Sequence, residues 1–120
     1  PILMVMVRFS RFTYGLMEAA DTFTVSLPRS GKYKELLAQA GTLSGRDMDK
    51  FKELNIPAAQ AQKADGPVID QCGLILECRT LYKQALNPDD LDPEIRASFY
   101  EDEDYHMLYF GEVLACYHND

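Results

Sequence analysis

The nine residues that open the chain, PILMVMVRF, are apolar at every position except Arg8. A β-type run without polar alternation is the pattern of a strand covered on both faces. Such a strand cannot stand alone, so the rest of the sequence has to build a sheet around it. Residues 21–27 alternate, with Phe23, Val25 and Leu27 on one face and Thr22, Thr24 and Ser26 on the other, and Pro28 ends them. Residues 58–63 read as a weak, exposed strand and residues 67–69 as a short extended piece. Residues 74–82 (LILECRTLY) are a strong strand, with Glu77 and Arg79 on one face and Cys78 turned the other way into the core. Residues 105–118 form a long closing strand with His106, Leu108 and Phe110 on one face and a bulge or bend at Gly111.

Helices interrupt these strands instead of alternating with them. Residues 14–20 are expected to form a short helix with Thr13 as N-cap and Leu16, Met17 and Ala20 inward. Residues 34–40 offer Leu36, Leu37 and Ala40 for packing and stop at Gly41. Beyond Lys50, the helical spacing of Met48, Phe51 and Leu54 marks core anchors, and the helix ends near Asn55, ahead of Pro57. Five or six modest strands with no βαβ rhythm predict one mainly β or α+β domain over residues 1–120, antiparallel or barrel-like, with short helices.

Two loop-to-helix junctions carry chemistry. At the first, Arg8, Ser10, Arg11 and Thr13 lie within six residues of one another beside a helix start. Guanidinium forks and unpaired N–H groups both match phosphate oxygens, so this is a candidate anion site; surface arginines beside an ordinary cap are the alternative. At the second, residues 40–51 (AGTLSGRDMDKF) pass through Gly41, Thr42, Ser44 and Gly45 into a charged segment. Ser44 is the expected N-cap and Asp47 its capping-box partner, which would gather backbone N–H groups and Lys50 at one spot. A capped surface helix with no ligand has the same sequence.

Composition narrows the classes. Three cysteines without CxxC spacing, and histidines at 106 and 118 far from the first two of them, argue against a disulfide framework and a zinc site. The net charge of −7 belongs to residues 87–104, which hold eight acids and one arginine; elsewhere the two signs balance at eleven each. No basic surface points to nucleic acid, no apolar run is long enough to span a membrane, and no signal peptide pattern opens the chain, so a cytoplasmic protein is expected. Residues 87–104 read as an exposed, solvated excursion with one helical turn at 93–99.

Four stretches taken in order, VRFSRFTYGLMEAADTFTVSLP, GTLSGRDMDKF, PVIDQCGLILEC and HMLYFGEV, resemble the flavin reductase-like proteins with an FMN-binding split barrel, in particular the flavoredoxin-like branch. The resemblance implies a dimeric, antiparallel, six-stranded split β-barrel that holds FMN without a covalent link. It implies that Arg8, Ser10, Arg11 and Thr13 surround the phosphate end, that the loop carrying Thr42, Ser44, Gly45 and Lys50 approaches the flavin, and that His106 is the histidine of the HxxxxGEV strand. His106 would then be a hydrogen-bond partner or a proton donor, its unperturbed pKa allowing either state near neutrality; a satisfied histidine on a barrel strand is the alternative. His118 reads as structural or exposed.

Members of this family carry strands ahead of the position of Pro1 that form one wall of the flavin pocket, and a further segment beyond the position of His118. The sequence is therefore expected to be a fragment, a short natural version with an incomplete barrel, or a chain whose dimer partner supplies the wall. The implied function is an FMN-dependent reductase that takes electrons from a reduced nicotinamide or a protein donor; a separate, third reading makes the acidic excursion a docking surface for a basic redox partner. No GxGxxG fingerprint is present, so nicotinamide would bind transiently over the flavin. A non-catalytic flavin-binding or degenerate barrel that serves as a dimerisation module is the competing reading.

Overall fold

The computed structural model describes residues 1–46 and 48–120. In chain order the elements are β1 (Ile2–Arg8), α1 (Phe12–Ala19), β2 (Thr22–Pro28), α2 (Lys34–Thr42), α3 (Lys50–Glu53), β3 (Ala58–Gln60), β4 (Pro67–Ile69), β5 (Gly73–Ala85), α4 (Pro93–Phe99) and β6 (His106–His118), with a 3-10 turn at Pro88–Asp90 before α4. The four longer strands make one antiparallel sheet in the order β1-β6-β5-β2, and β3 and β4 form a separate hairpin. The sheet curls into a half-barrel, as a split barrel requires. The hairpin continues the wall beside β2 through side chains: Thr24 Oγ1 donates to Pro67 O at 2.8 Å, and Ser26 Oγ accepts from Ile69 N–H at 3.2 Å.

The opening run is a strand, but it lies at a sheet edge and is not covered on both faces. Among the described residues β6 is the only strand paired with it, from Ile2 opposite Glu112 to Arg8 opposite His106. Ile2, Met4 and Met6 are 65%, 44% and 45% exposed, while the alternate positions Leu3, Val5 and Val7 face inward and are half-buried. Apolar composition reports the environment a strand suits, and this sheet supplies it on one side.

Most of the buried apolar side chains fall into two groups. Under the β3–β4 hairpin, Ala61, Ala64, Val68, Cys72 and Ile75 pack together against Tyr33 and Tyr117. On the main sheet, Phe23, Cys78 and Tyr109 are buried, and Phe23 and Cys78 close over Gly111 so tightly that a Cβ there would lie 2.6 Å from the Phe23 ring and 2.9 Å from Cys78 Cβ. That packing requires the glycine; opposite it the extra residue is Leu81 on β5, between the pairs Thr80–Gly111 and Tyr82–Phe110, and β6 has its own extra residue at Leu114, between the pairs Cys78–Val113 and Glu77–Ala115. Leu16, Leu37 and Phe51, expected inward, are 56%, 52% and 37% exposed, because α1, α2 and α3 make little contact with the sheet. All three cysteines are free thiols, with Cys72 and Cys78 buried and Cys116 exposed.

Glu77, placed beside Arg79 on one face by the alternation, is fully buried, whereas Arg79 is exposed and pairs with Glu112 at 3.4 Å. The difference comes from the segment after β3. The Glu77 carboxylate accepts the backbone N–H groups of Gln62, Lys63 and Ala64 at 2.8, 2.5 and 2.9 Å and the Tyr117 hydroxyl at 2.5 Å. Burial alone would raise its pKa, but the Tyr117 hydroxyl and the three N–H groups outweigh it and hold the carboxyl at about 2. Among the described residues no helix is long and apolar enough to cross a membrane.

Candidate functional site

β1 passes into α1 through a tight turn closed by Arg11 N–H to Arg8 O at 3.1 Å and Tyr14 N–H to Arg11 O at 3.0 Å. Arg11 is the N-cap residue, so Thr13 stands inside the helix and does not cap it. No side chain caps this end and no acid lies in the first turn. The unpaired N–H groups and the positive end of the helix dipole are thus left uncompensated.

The second junction folds differently from its expected capping box. α2 runs past Gly41 to Thr42, whose hydroxyl donates to Gln39 O at 3.0 Å, and Leu43 N–H closes on the same carbonyl at 3.2 Å. The N-cap of α3 is Asp49, whose carboxylate accepts from Phe51 and Lys52 N–H. Ser44 makes a local turn instead, its hydroxyl accepting Arg46 N–H at 3.1 Å. Asp47, the expected capping partner, lies outside the described residues. Lys50 reaches back across the loop and donates to Ala40 O at 2.5 Å, which satisfies a carbonyl at the end of α2 and fixes the ammonium. An ammonium has three hydrogens, and this bond uses one.

These two junctions face each other across a cavity of about 410 Å³. Its lining includes the hydroxyls of Ser10, Thr13, Thr42 and Ser44, the cations Arg11 and Lys50, and Gly45, so seven of the eight residues expected to hold a cofactor meet at one place. At Gly45 a Cβ would stand 2.6 Å from the Phe12 ring, so the absence of a side chain lets the loop close against α1. Three cations, since Arg46 also lines the cavity, four hydroxyls and an uncapped helix start suit a phosphate joined to a polyol chain.

Arg8 is the eighth, and it does not line that cavity. Its guanidinium donates to Asp104 O at 2.9 Å and Phe99 O at 3.0 Å and lies 4.9 Å from the centre of the Tyr100 ring. With His106, its cross-strand neighbour, Arg8 lines a second cleft of about 300 Å³ that also includes Met6, Val7, Arg11 and Thr13. Arg11 and Thr13 are therefore common to both spaces. Ser10 is engaged as well: its N–H and its hydroxyl both donate to the Asp104 carboxylate.

The acidic excursion is thus not wholly solvated. Glu101, Asp102 and Glu103 are exposed, but Tyr100 is buried and Asp104 folds back onto β1 and Ser10. The Ser10 hydroxyl holds the Asp104 carboxyl below its ordinary pKa against the opposing effect of burial, helped by the Ser10 N–H, Arg8 and His106. Burial lowers the pKa of His106, and the Arg8 charge lowers it further against the pull of Asp104, which favours the neutral imidazole. Its Nδ1 lies 2.5 Å from the Tyr100 hydroxyl.

Sequence reasoning missed Tyr100, Asp104 and Glu77 as organising groups. A sequence signal existed only for Glu77, a carboxylate inside the apolar run of residues 74–78.

A family model described as "Flavin reductase like domain" matches residues 1–120. An uncharacterized protein of Archaeoglobus fulgidus is 29% identical over 119 residues, which span 99% of this chain and 57% of that one. Flavoredoxin of Desulfovibrio vulgaris (Miyazaki F) superposes with a TM-score of 0.77 at 20% identity, covering 100% of this chain and 54% of its own. The FMN-binding protein of Thermus thermophilus with bound 1-cyclohex-2-enone superposes with a TM-score of 0.74 at 25% identity, covering 98% and 53%. The chain spans little more than half the length of these relatives.

Proposed function

The chain belongs to the flavin reductase-like family, and from that premise we propose that it binds FMN without a covalent link and passes electrons through it from a reduced nicotinamide or a protein donor. The observation that supports this most is the 410 Å³ cavity, where Arg11, Lys50, four hydroxyls and the open start of α1 converge. Arg11 and Lys50 would neutralise the phosphate, Thr13 and Ser44 would donate to its oxygens, and Ser10 and Thr42, whose hydrogens are engaged by Asp104 and Gln39, would accept from the ribityl hydroxyls. A bound flavin supplies the hydride and single-electron chemistry, which the chain's own side chains lack. His106, lining the adjoining cleft, would meet the ring or the second substrate.

A homodimer and a cytoplasmic location belong to the same reading. The exposed Ile2, Met4 and Met6 on β1 favour association, and the free thiols fit a reducing compartment. A visible-absorbance titration with FMN, run with a measurement of mass in solution, tests the proposal. Saturable binding by a dimer with a shifted flavin spectrum supports it, and a folded chain that leaves the FMN spectrum unchanged at saturating concentration refutes it. Binding without faster nicotinamide oxidation would leave either a protein donor or the non-catalytic module, which reduction by a redox protein separates.

A further inference from the structure

We infer that Tyr100 is a positioning residue that sets the tautomer of His106: its hydroxyl donates to Nδ1, so the ring's remaining proton sits on Nε2. Tyr100 is only 7% exposed, and among the described residues the His106 ring nitrogen, 2.5 Å away, is the only hydrogen-bond partner of its hydroxyl. If Nδ1 carried the proton and donated it, the phenolic hydrogen would be buried without an acceptor, at a cost of about 1–3 kcal/mol. Donation from the phenol satisfies both groups. The surroundings reinforce this direction. The Arg8 guanidinium over the Tyr100 ring makes the phenol a better donor, and the ring is held in place by stacking on Tyr105 at 5.0 Å and by an edge contact with His106 at 5.5 Å. Of the charged groups near the imidazole, Arg8 on β1 favours the neutral ring and Asp104 the charged one, and the Asp104 carboxylate is already bound to Ser10.

With Nδ1 occupied, Nε2 is the nitrogen left for a ligand in the cleft formed with Met6, Val7, Arg8, Arg11 and Thr13. A neutral N–H there donates to an acceptor, such as a carbonyl or an anionic oxygen, and does not take up a proton as a base. Only the identity of that acceptor rests on the flavin reading; the tautomer does not.

The test uses the full chain labelled with ¹⁵N, without flavin, and long-range ¹H–¹⁵N spectra of the imidazoles, with His118→Gln to identify the His106 signals. The wild type should show His106 protonated at Nε2 with Nδ1 bare. Tyr100→Phe should spread the proton over both nitrogens and raise the titration midpoint by about 0.5 to 1 pH unit, the worth of one hydrogen bond to the neutral ring. A wild-type His106 protonated at Nδ1, or a tautomer and midpoint unchanged in Tyr100→Phe, would overturn the assignment. An Nε2–H histidine in a chain that does not bind FMN would refute the flavin reading and sustain this one.

Discussion

Glu77→Gln changes one oxygen of a buried carboxylate into an amide nitrogen at nearly constant volume, so its cost is electrostatic. Four donors converge on Glu77: three successive N–H groups and the Tyr117 hydroxyl. Glutamine has one acceptor oxygen, so its NH₂ must face at least one of those donors. With the carboxyl held at about 2 against an ordinary 4.5, the ionised form favours the folded chain by about 3 kcal/mol at neutral pH, at about 1.4 kcal/mol per tenfold. The folded value is the lower one, so this contribution is complete above about pH 5.5, is half gone near pH 3, and vanishes below the folded value. Urea denaturation of Glu77→Gln at pH 7 should show the midpoint lowered by about 1–3 M. The gap between wild type and variant should roughly halve by pH 3. A variant within about 0.3 M of wild type at pH 7, or a gap that does not narrow on acidification, would refute the reasoning. Tyr117→Phe removes one donor and leaves the carboxylate, and should cost about 1 kcal/mol, a measurable step if Glu77→Gln does not fold.

Arg11→Ala and Lys50→Ala should each weaken FMN binding about ten- to a hundredfold in the absorbance titration, the worth of a hydrogen bond to a charged group, whereas Thr42→Ala, whose hydroxyl is already bonded to Gln39 O, should change it less than tenfold. Gly111→Ala forces a methyl into the contact with Phe23 and Cys78 and should lower stability by about 1–3 kcal/mol in thermal melts; an unchanged melting temperature would contradict the packing described. Asp104→Asn should speed amide hydrogen exchange over residues 99–104 at neutral pH, and the difference should fade at acid pH as the wild-type carboxyl, held below its ordinary value, takes up its proton.

What the sequence made legible was whatever depends on neighbours along the chain. The strands appear because alternation and β-branched runs are local, and each half of the 410 Å³ cavity appears because its residues lie within one loop. Helix capping was harder, since Ser44 and Asp49 are both good N-caps and the turn made by Ser44 with Arg46 decided between them. Contacts between distant residues were not legible. Asp104 reaches Ser10 across 94 positions, and no periodicity in either segment encodes that meeting. The burial of Glu77 and the exposure of β1 have the same origin, because both depend on which surfaces the curled sheet covers.

The pairing of Ile2 with Glu112 and of Arg8 with His106 also bears on the order in which the molecule can be made. On a ribosome adding about 5–20 residues per second, β1 emerges well ahead of β6 and waits on the order of 5–20 s for that strand to hydrogen-bond to it. Until then the apolar segment PILMVMV lacks its β6 partner, the kind of segment that holdase chaperones grip and that sticks to copies of itself on neighbouring nascent chains. Refolding in the test tube has the same bottleneck, a loop of about a hundred residues to close before β1 is held by β6, and it should be slow and concentration-sensitive.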